Sequence, residues 1–309
     1  MNNNIYTNSF VEMLRNHFDD GNFKYVSYPK LIFLCGKAKD SDYPLSNRGK
    51  LERYLLNNSK DLRIVLSELI WQDSFSENID LLTFEEFLAE VCDDTILFVE
   101  SYGSACELGT FAYAEKLFGK KLTLFLDNQF KDAKSFIRTG PTEKAKVDGA
   151  NVVFSSILDK SDTLTPEIQS VADIIVREAK FKQLPKNLKR TNKERDKIRL
   201  NIFVVELLEL LHFVQPITSI DLLELYKMVK GFPSIQFKKT DGKEFHNRIE
   251  YSYIIRLLLQ LELIKEKDGL LYVKEDEKIQ NLMFDLNQRT RNKERNRLLC
   301  RKLKYGEYK

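Results

Sequence analysis

Short apolar runs alternate with amphipathic stretches through the first 180 residues. Runs at 31–35, 62–66, 95–99, 121–126 and 150–154 have strand length and little internal alternation, the pattern of strands buried on both faces. The segments between them carry apolar residues at helical spacing. Residues 8–18 place Phe10, Met13, Leu14 and Phe18 among the apolar positions. Ser46 can cap a helix through Asn58 with Leu51, Tyr54 and Leu55 on one face. Thr83 precedes Glu86 by three residues, a capping-box spacing. A further helix follows residue 103 with Leu108, Phe111, Ala112 and Leu117, and another spans 165–180 with Pro166 in its first turn. Strand and helix in this order predict an α/β fold: a Rossmann-like parallel sheet with flanking helices and right-handed crossovers.

The pattern breaks at 183–196, which has Pro185 and no apolar periodicity. Three apolar helices are expected after it, at 198–213, 220–229 and 250–261. Residues 263–267 and 270–275 flank Asp268-Gly269, a hairpin turn signal. A last, basic helix is expected over 278–303. Helices followed by a small hairpin is the order of a winged helix, a nucleic-acid or protein-docking module. The expected division is a sheet domain at 1–183, a basic linker at 184–197 and a mostly helical winged-helix domain at 198–309. No internal repeat is visible.

Charge sharpens this division. The 309 residues hold 49 Lys plus Arg against 46 Asp plus Glu, a formal net charge of +3. Residues 182–199 nevertheless contain eight basic and two acidic side chains, and the tail after Asn281 nine basic and three acidic. The remainder is acidic, so the C-terminal part has reason to meet a polyanion; a solvated linker and helix face is the alternative. Lys189, Arg190, Arg291, Lys293, Arg295 and Arg297 are the phosphate-contact candidates, with His246 and Arg248 ahead of the third helix of that domain. The four Cys and three His show no metal-ligand spacing, so no metal is expected, and a disulfide framework is improbable in a chain of this length. The first residues lack the order of a signal peptide, and no apolar run has the length of a membrane span. A cytoplasmic location and no membrane partner are the expectation.

The chemistry concentrates at 100–109, ESYGSACELG. This segment leaves a buried strand and opens a helix, at the carboxyl edge of a parallel sheet where ligands of open α/β sheets bind. Gly103 and Ser104 permit close backbone approach. Glu107 then faces the crevice from the first helical turn, where a carboxylate can act as nucleophile at an anomeric carbon or stabilise an oxocarbenium ion. A helix-start Glu that complements the dipole is the other reading.

GSACELG resembles the G-T-x-x-E-x-G signature of nucleoside 2-deoxyribosyltransferases, whose Glu is the nucleophile, and the 33–38 segment FLCGKA resembles that family's first strand and glycine loop. Gly103, Ser104, Glu107 and Gly109 match, with Ser in place of Thr. Ser101 stands where the family usually has an Asp that helps hold the base, so the usual base recognition is not carried over. The wider superfamily includes nucleotide N-glycosidases and is related to NAD-cleaving TIR domains. The pairing with a basic C-terminal domain resembles, over nearly the whole chain, the ribosyltransferase/DNA-binding effectors of bacterial retrons. That resemblance implies an antiphage toxin restrained by a reverse transcriptase and multicopy single-stranded DNA (msDNA), and assembly into homo- or hetero-oligomers.

Other site candidates follow from position. Gly36 and Lys37 end the first strand, and Lys37 can meet phosphate or ribose or remain a solvent lysine. Asn47 and Arg48 open a helix and can bind phosphate or cap it. Glu68 ends the second strand and can bind ribose hydroxyls; Ser101 lies beside it on the same edge. Cys106 reads as packing and His212 as a core histidine. Two functions are open: cleavage of an N-glycosidic bond of NAD or a related nucleotide, with no resident cofactor, or a non-catalytic nucleotide-sensing DNA-binding regulator.

Overall fold

The computed structural model describes residues 8–19, 29–37, 40–71, 80–113, 122–157, 163–179, 197–239, 244–245 and 249–274. They form two compact units, one of Pro29–Lys180 with Lys239–Ile249, the other of Met1–Tyr28, Phe181–Lys238 and Glu250–Lys309.

The first unit is built on five parallel strands: β1 (Lys30–Cys35), β2 (Leu62–Val65), β3 (Asp94–Phe98), β4 (Leu122–Asp127) and β5 (Asn151–Ser155). Each lies within one or two residues of an expected run. Their order is β2-β1-β3-β4-β5. The chain leaves β1 in one direction to reach β2 and returns past it to β3, so the carboxyl ends of β1 and β3 flank the switch point of the sheet. That crevice is where such sheets bind ligands.

Both faces are covered, which is why the runs are continuously apolar. Ile32, Leu34, Ile96 and Phe98 share a core with Leu51 and Leu55 of α2 (Asn47–Asn58) and Ile168, Ala172 and Ile175 of α7 (Pro166–Glu178). Strand side chains alternate, so Leu31, Phe33 and Cys35 face the other way. There the Phe33 ring meets Phe111 of α5 (Tyr102–Tyr113) edge-on, centroids 6.2 Å apart, and α4 (Leu81–Val91) packs on β1. Short α3 (Ser67–Trp71) and α6 (Glu143–Val147) complete the layer sequence.

Ser46 caps α2 and Thr165 caps α7 with Pro166 next, both as expected. For α4 the structure corrects the sequence reading. Asp80 is the cap, accepting from the Thr83 amide at 2.9 Å and the Thr83 hydroxyl at 2.8 Å. Asp and Thr three residues apart are both good caps, and the carboxylate takes the orphan amide. Glu86, freed from any capping role, pairs with the ammonium of Lys239.

The second unit contains α8 (Leu200–Val214), α9 (Ser219–Lys230), α10 (Tyr251–Gln260) and the hairpin β8 (Ile264–Lys267) and β9 (Leu270–Val273). The turn residues Asp268 and Gly269 both take positive φ, 53° and 72°, as a two-residue hairpin requires. Ile217, between α8 and α9, makes a bridge to Leu271 of the hairpin. Two elements were not expected: β6 (Lys197–Arg199) and β7 (Gln236–Lys238), a short parallel pair. Helix α1 (Asn8–Asp19) also belongs to this unit, where Arg15 donates to the carbonyls of Met228 and Val229 at the end of α9. This corrects the 1–183 division, which puts α1 with the sheet. Most of the expected linker and the basic 278–303 helix lie outside the described residues. Among the described residues no helix is long and apolar enough to cross a membrane.

Candidate active site

Gly36 turns the chain at the end of β1 with φ at 141°. A Cβ there would stand 3.1 Å from the Phe98 Cβ and 3.2 Å from its carbonyl oxygen. Only glycine lets the ends of β1 and β3 approach this closely. The two ends are tied by the Lys37 amide, which donates to the Glu100 carboxylate at 3.3 Å. Burial pushes that carboxyl up from its ordinary value, against the pull of Lys37, Arg48 and Lys50.

The Glu100–Ser104 turn is closed by two serines. The Ser104 hydroxyl accepts from the amides of Glu100 and Ser101 at 3.0 and 2.9 Å, and the Ser101 hydroxyl accepts from the Ser104 amide at 3.1 Å. This reciprocal arrangement is a capping box with Ser in the third position. Ser104, expected among ligand contacts, is almost wholly buried and shapes the turn instead. Helix α5 starts at Tyr102, so Glu107 falls on its second turn rather than its first.

Glu107 turns inward. Its Oε2 is buried and has no hydrogen-bond partner among the described residues. Burial, then the negative charge of Glu85, push its carboxyl up to about 8; Arg48 opposes this and Glu68 adds to it. Glu85 is a residue that sequence reasoning missed. It projects from α4 and is 6% exposed. Burial pushes it up to about 7, the Ser67 hydroxyl bond holds it down, Glu68 raises it and Arg48 lowers it. Between them lies Cys35 at the end of β1, its thiol raised by burial and by the charges of Glu107 and Glu85.

Arg48 holds this edge together. Its Nε and Nη2 donate to the Leu34 carbonyl at 3.0 and 2.7 Å, and its Nη1 to the Lys37 carbonyl at 2.8 Å. Nη1 and Nη2 also fork onto the Glu68 carboxylate at 2.7 and 2.9 Å. A guanidinium has five N–H groups, and these bonds use all five. Arg48 is therefore committed to the protein, as is Asn47, whose amide donates to the Ile157 carbonyl. Glu68 sits at the start of α3 and answers Arg48. Lys37 pairs at the surface with Asp40 at 3.3 Å and Asp42 at 3.9 Å. Lys50, one turn into α2, is buried with no hydrogen-bond partner for its Nζ among the described residues. Among the described residues no group of three or more His, Cys, Asp or Glu is arranged to hold a metal ion.

The structure thus brings Gly36, Lys37, Arg48, Glu68, Ser101, Gly103, Ser104 and Glu107 to one sheet edge, but gives several of them structural partners. Cys106 is exposed rather than packed, and His212 is buried on α8. Lys189, Arg190, His246, Arg248, Arg291, Lys293, Arg295 and Arg297 lie outside the described residues.

The glycines separate fold from function. A Cβ on Gly49 would lie 2.1 Å from the Tyr43 carbonyl oxygen, so Gly49→Ala is expected to destabilise strongly. A Cβ on Gly109 would meet nothing within 4 Å. Gly109→Ala is expected to leave the melting temperature unchanged, or raise stability by up to about 1 kcal/mol through helix propensity. Thermal melts of the two variants check the contrast.

Residues 44–267 match the family model of the STM3845 retron effector protein. The chain belongs to this retron effector family. The matched span begins just before α2 and runs into the hairpin, so it contains Arg48, Glu68, Glu85 and Glu107. The retron effector is 38% identical over 122 residues to the "Retron Ec73 putative ribosyltransferase/DNA-binding protein" of Escherichia coli, 36% of each chain. It is 31% identical over 195 residues to the "Retron Ec86 putative ribosyltransferase/DNA-binding protein" of the same organism, 62% of this chain and 61% of that relative. These alignments span less than two thirds of either relative's length.

Proposed function

We propose that this retron effector cleaves the N-glycosidic bond of NAD or a related nucleotide, with Glu107 meeting the ribosyl carbon. The observation that carries the reading is the inward, unpartnered Oε2 of Glu107 at the switch point of the sheet. A buried carboxyl oxygen without a partner is costly, and such a cost is met most often where function requires it.

The charge around it favours NAD. Glu68, Glu85 and Glu107 share the edge with Arg48, whose donors are already spent. A neutral nucleoside adds no counter-charge. The nicotinamide ring of NAD is cationic, so its arrival favours ionised Glu107. Nicotinamide then departs neutral and needs no acid. The electron pair of the glycosidic bond leaves with the base, Glu107 takes or shields the ribosyl carbon, and water completes the hydrolysis. The Gly36 turn and exposed Gly103 leave the backbone open to the ribose and phosphates. Ser101, Lys37 and Arg48 serve the same site by shaping its rim, and NAD enters as substrate.

The second unit is proposed to be a winged helix that binds nucleic acid. Helices α8–α10, the hairpin after them and the Ile217–Leu271 bridge support this reading, as does the "DNA-binding" in the relatives' names. Its partners would be a retron reverse transcriptase and msDNA, which restrain a toxic activity until phage interference releases it. Phosphates of the RNA–DNA partner would meet Lys189, Arg190, Arg291, Lys293, Arg295 and Arg297. Partner affinity is then expected to fall at least about tenfold between 50 and 200 mM salt, measured by fluorescence anisotropy. A salt-independent affinity overturns the phosphate reading.

Expression in cells tests the whole. The wild-type chain, without its partners, should arrest growth and deplete NAD; Glu107→Gln at equal abundance should do neither. Equal toxicity of the two contradicts the assignment. Tight nucleotide binding without product would support a regulator instead.

A further inference from the structure

Three carboxyl groups converge on the carboxyl edge of β1 from three different helices. Glu68 comes from α3, Glu85 from α4 and Glu107 from α5. The charged groups that face the Glu85 and Glu107 carboxyls are Arg48 of α2, Glu68 and each other, with the Cys35 thiol between them. Ser67 adds a hydroxyl to Glu85. Lys50 acts on Glu100 instead.

The balance of charge is uneven. Arg48 neutralises Glu68 through a two-pronged bond with its guanidinium 2% exposed. No N–H of Arg48 is left for a second carboxylate. Glu85 and Glu107 therefore face each other's charge in a buried setting without a cation of their own. Two like carboxylates that cannot both ionise at low cost retain a proton between them.

We infer that Glu85 is a positioning residue for Glu107: the pair holds one proton in common, and Glu85 decides when Glu107 is ionised. This inference rests on the proposed N-glycosidic reading for its consequence, but not for its test. In the catalytic cycle, a cationic substrate draws Glu107 into its ionised form while Glu85 keeps the shared proton. Attack by Glu107 on the ribosyl carbon converts its carboxylate to a neutral ester as the base leaves with the bonding pair. The repulsion that held the proton on Glu85 is then gone. Glu85 loses that proton more readily, and the net charge of the buried edge stays constant through the step. When water attacks the ribosyl carbon, its proton goes to solvent or to Glu85, and the ester electrons return to Glu107.

The test needs no substrate. Protein labelled with ¹³C at the glutamate carboxyl carbon is titrated by NMR, with Glu85→Gln and Glu107→Gln used to assign the two signals. Glutamine keeps the size and the hydrogen bond to Ser67 but carries no charge. In Glu85→Gln the midpoint of Glu107 is expected to fall by about one pH unit or more, while burial keeps it above an ordinary glutamate. By reciprocity the Glu85 midpoint should fall by a similar amount in Glu107→Gln, which decides the matter if the first variant does not fold. Unmoved midpoints overturn the inference. Rates complete the picture: the alkaline-favoured limb of the NAD cleavage profile should move to lower pH in Glu85→Gln. A merely structural Glu85 would lower the rate at every pH without moving that limb. Coupled titration without NAD cleavage would defeat the proposed function alone. NAD cleavage with uncoupled titration would defeat this inference alone.

Discussion

Glu107→Gln should be inactive and at least as stable as the wild type. Loss of a nucleophilic carboxylate with the shape of the side chain retained is expected to lower turnover by at least about 1,000-fold. Stability should move the other way because the native carboxyl lacks a partner for Oε2. The pH dependence gives the sign. The ordinary value for this group is 4.5 and burial with Glu85 raises it to about 8 in the folded chain. Between those values the folded state holds a proton that the unfolded chain has released. Stability is therefore fully present at acidic pH and is lost as the pH rises towards 8, the reverse of a salt-bridged carboxylate. The loss between pH 5 and 8 is on the order of 2 kcal/mol, since each tenfold difference in proton affinity between the folded and unfolded chain corresponds to about 1.4 kcal/mol. Glu85, raised to about 7, acts in the same sense. Melting temperatures from pH 5 to 9 should slope downward for the wild type and flatten in Glu107→Gln. A variant that melts lower than the wild type at pH 8 would contradict an unpartnered carboxyl.

Arg48→Met should be among the most damaging single substitutions in the sheet unit. Methionine approximates the length of the side chain but removes all five donors. The Leu34 and Lys37 carbonyls lose their partner, and Glu68 is left charged without its guanidinium. Breaking one side of a buried ion pair costs about 3–5 kcal/mol, enough to lower the melting temperature by about 10 °C in a domain of this size. Arg48→Lys should recover little, because an ammonium cannot fork onto a carboxylate and two carbonyls at once. A Glu68→Gln exchange, which keeps an acceptor for the guanidinium, should cost less. Had Arg48 been a phosphate ligand, its removal would raise KM and leave the melt unchanged. Thermal denaturation beside substrate titration separates the two roles.

The sheet is legible in the sequence because burial on both faces leaves continuous apolar runs, and these mark strands more sharply than amphipathic periodicity marks helix ends. Helix α4 shows the limit. Asp80 and Thr83 each satisfy the cap pattern, and only the three-dimensional start of the helix decides between them. Glu85 shows why half of the carboxyl pair is hidden. In the sequence it is one of two adjacent glutamates on an apolar helix. Its neighbour Glu86 pairs with Lys239, while Glu85 faces the sheet edge, and nothing local distinguishes them. Arg48 and Ser104 stand out by position, but position suggests the wrong kind of partner for each. Sequence shows where a donor starts; the oxygens it reaches come from strands and turns distant in the chain. The β6–β7 pair is three residues long on each side and leaves no periodic signal at all.

The central claim is that an inward glutamate at the β1–β3 switch point cleaves an N-glycosidic bond. Nicotinamide released from NAD by the purified chain, followed by chromatography and mass spectrometry, tests it most directly. The account predicts free nicotinamide and ADP-ribose from the wild type and none from Glu107→Gln. Equal release by both proteins, or NAD and nucleotides left intact by a folded wild type, would contradict it.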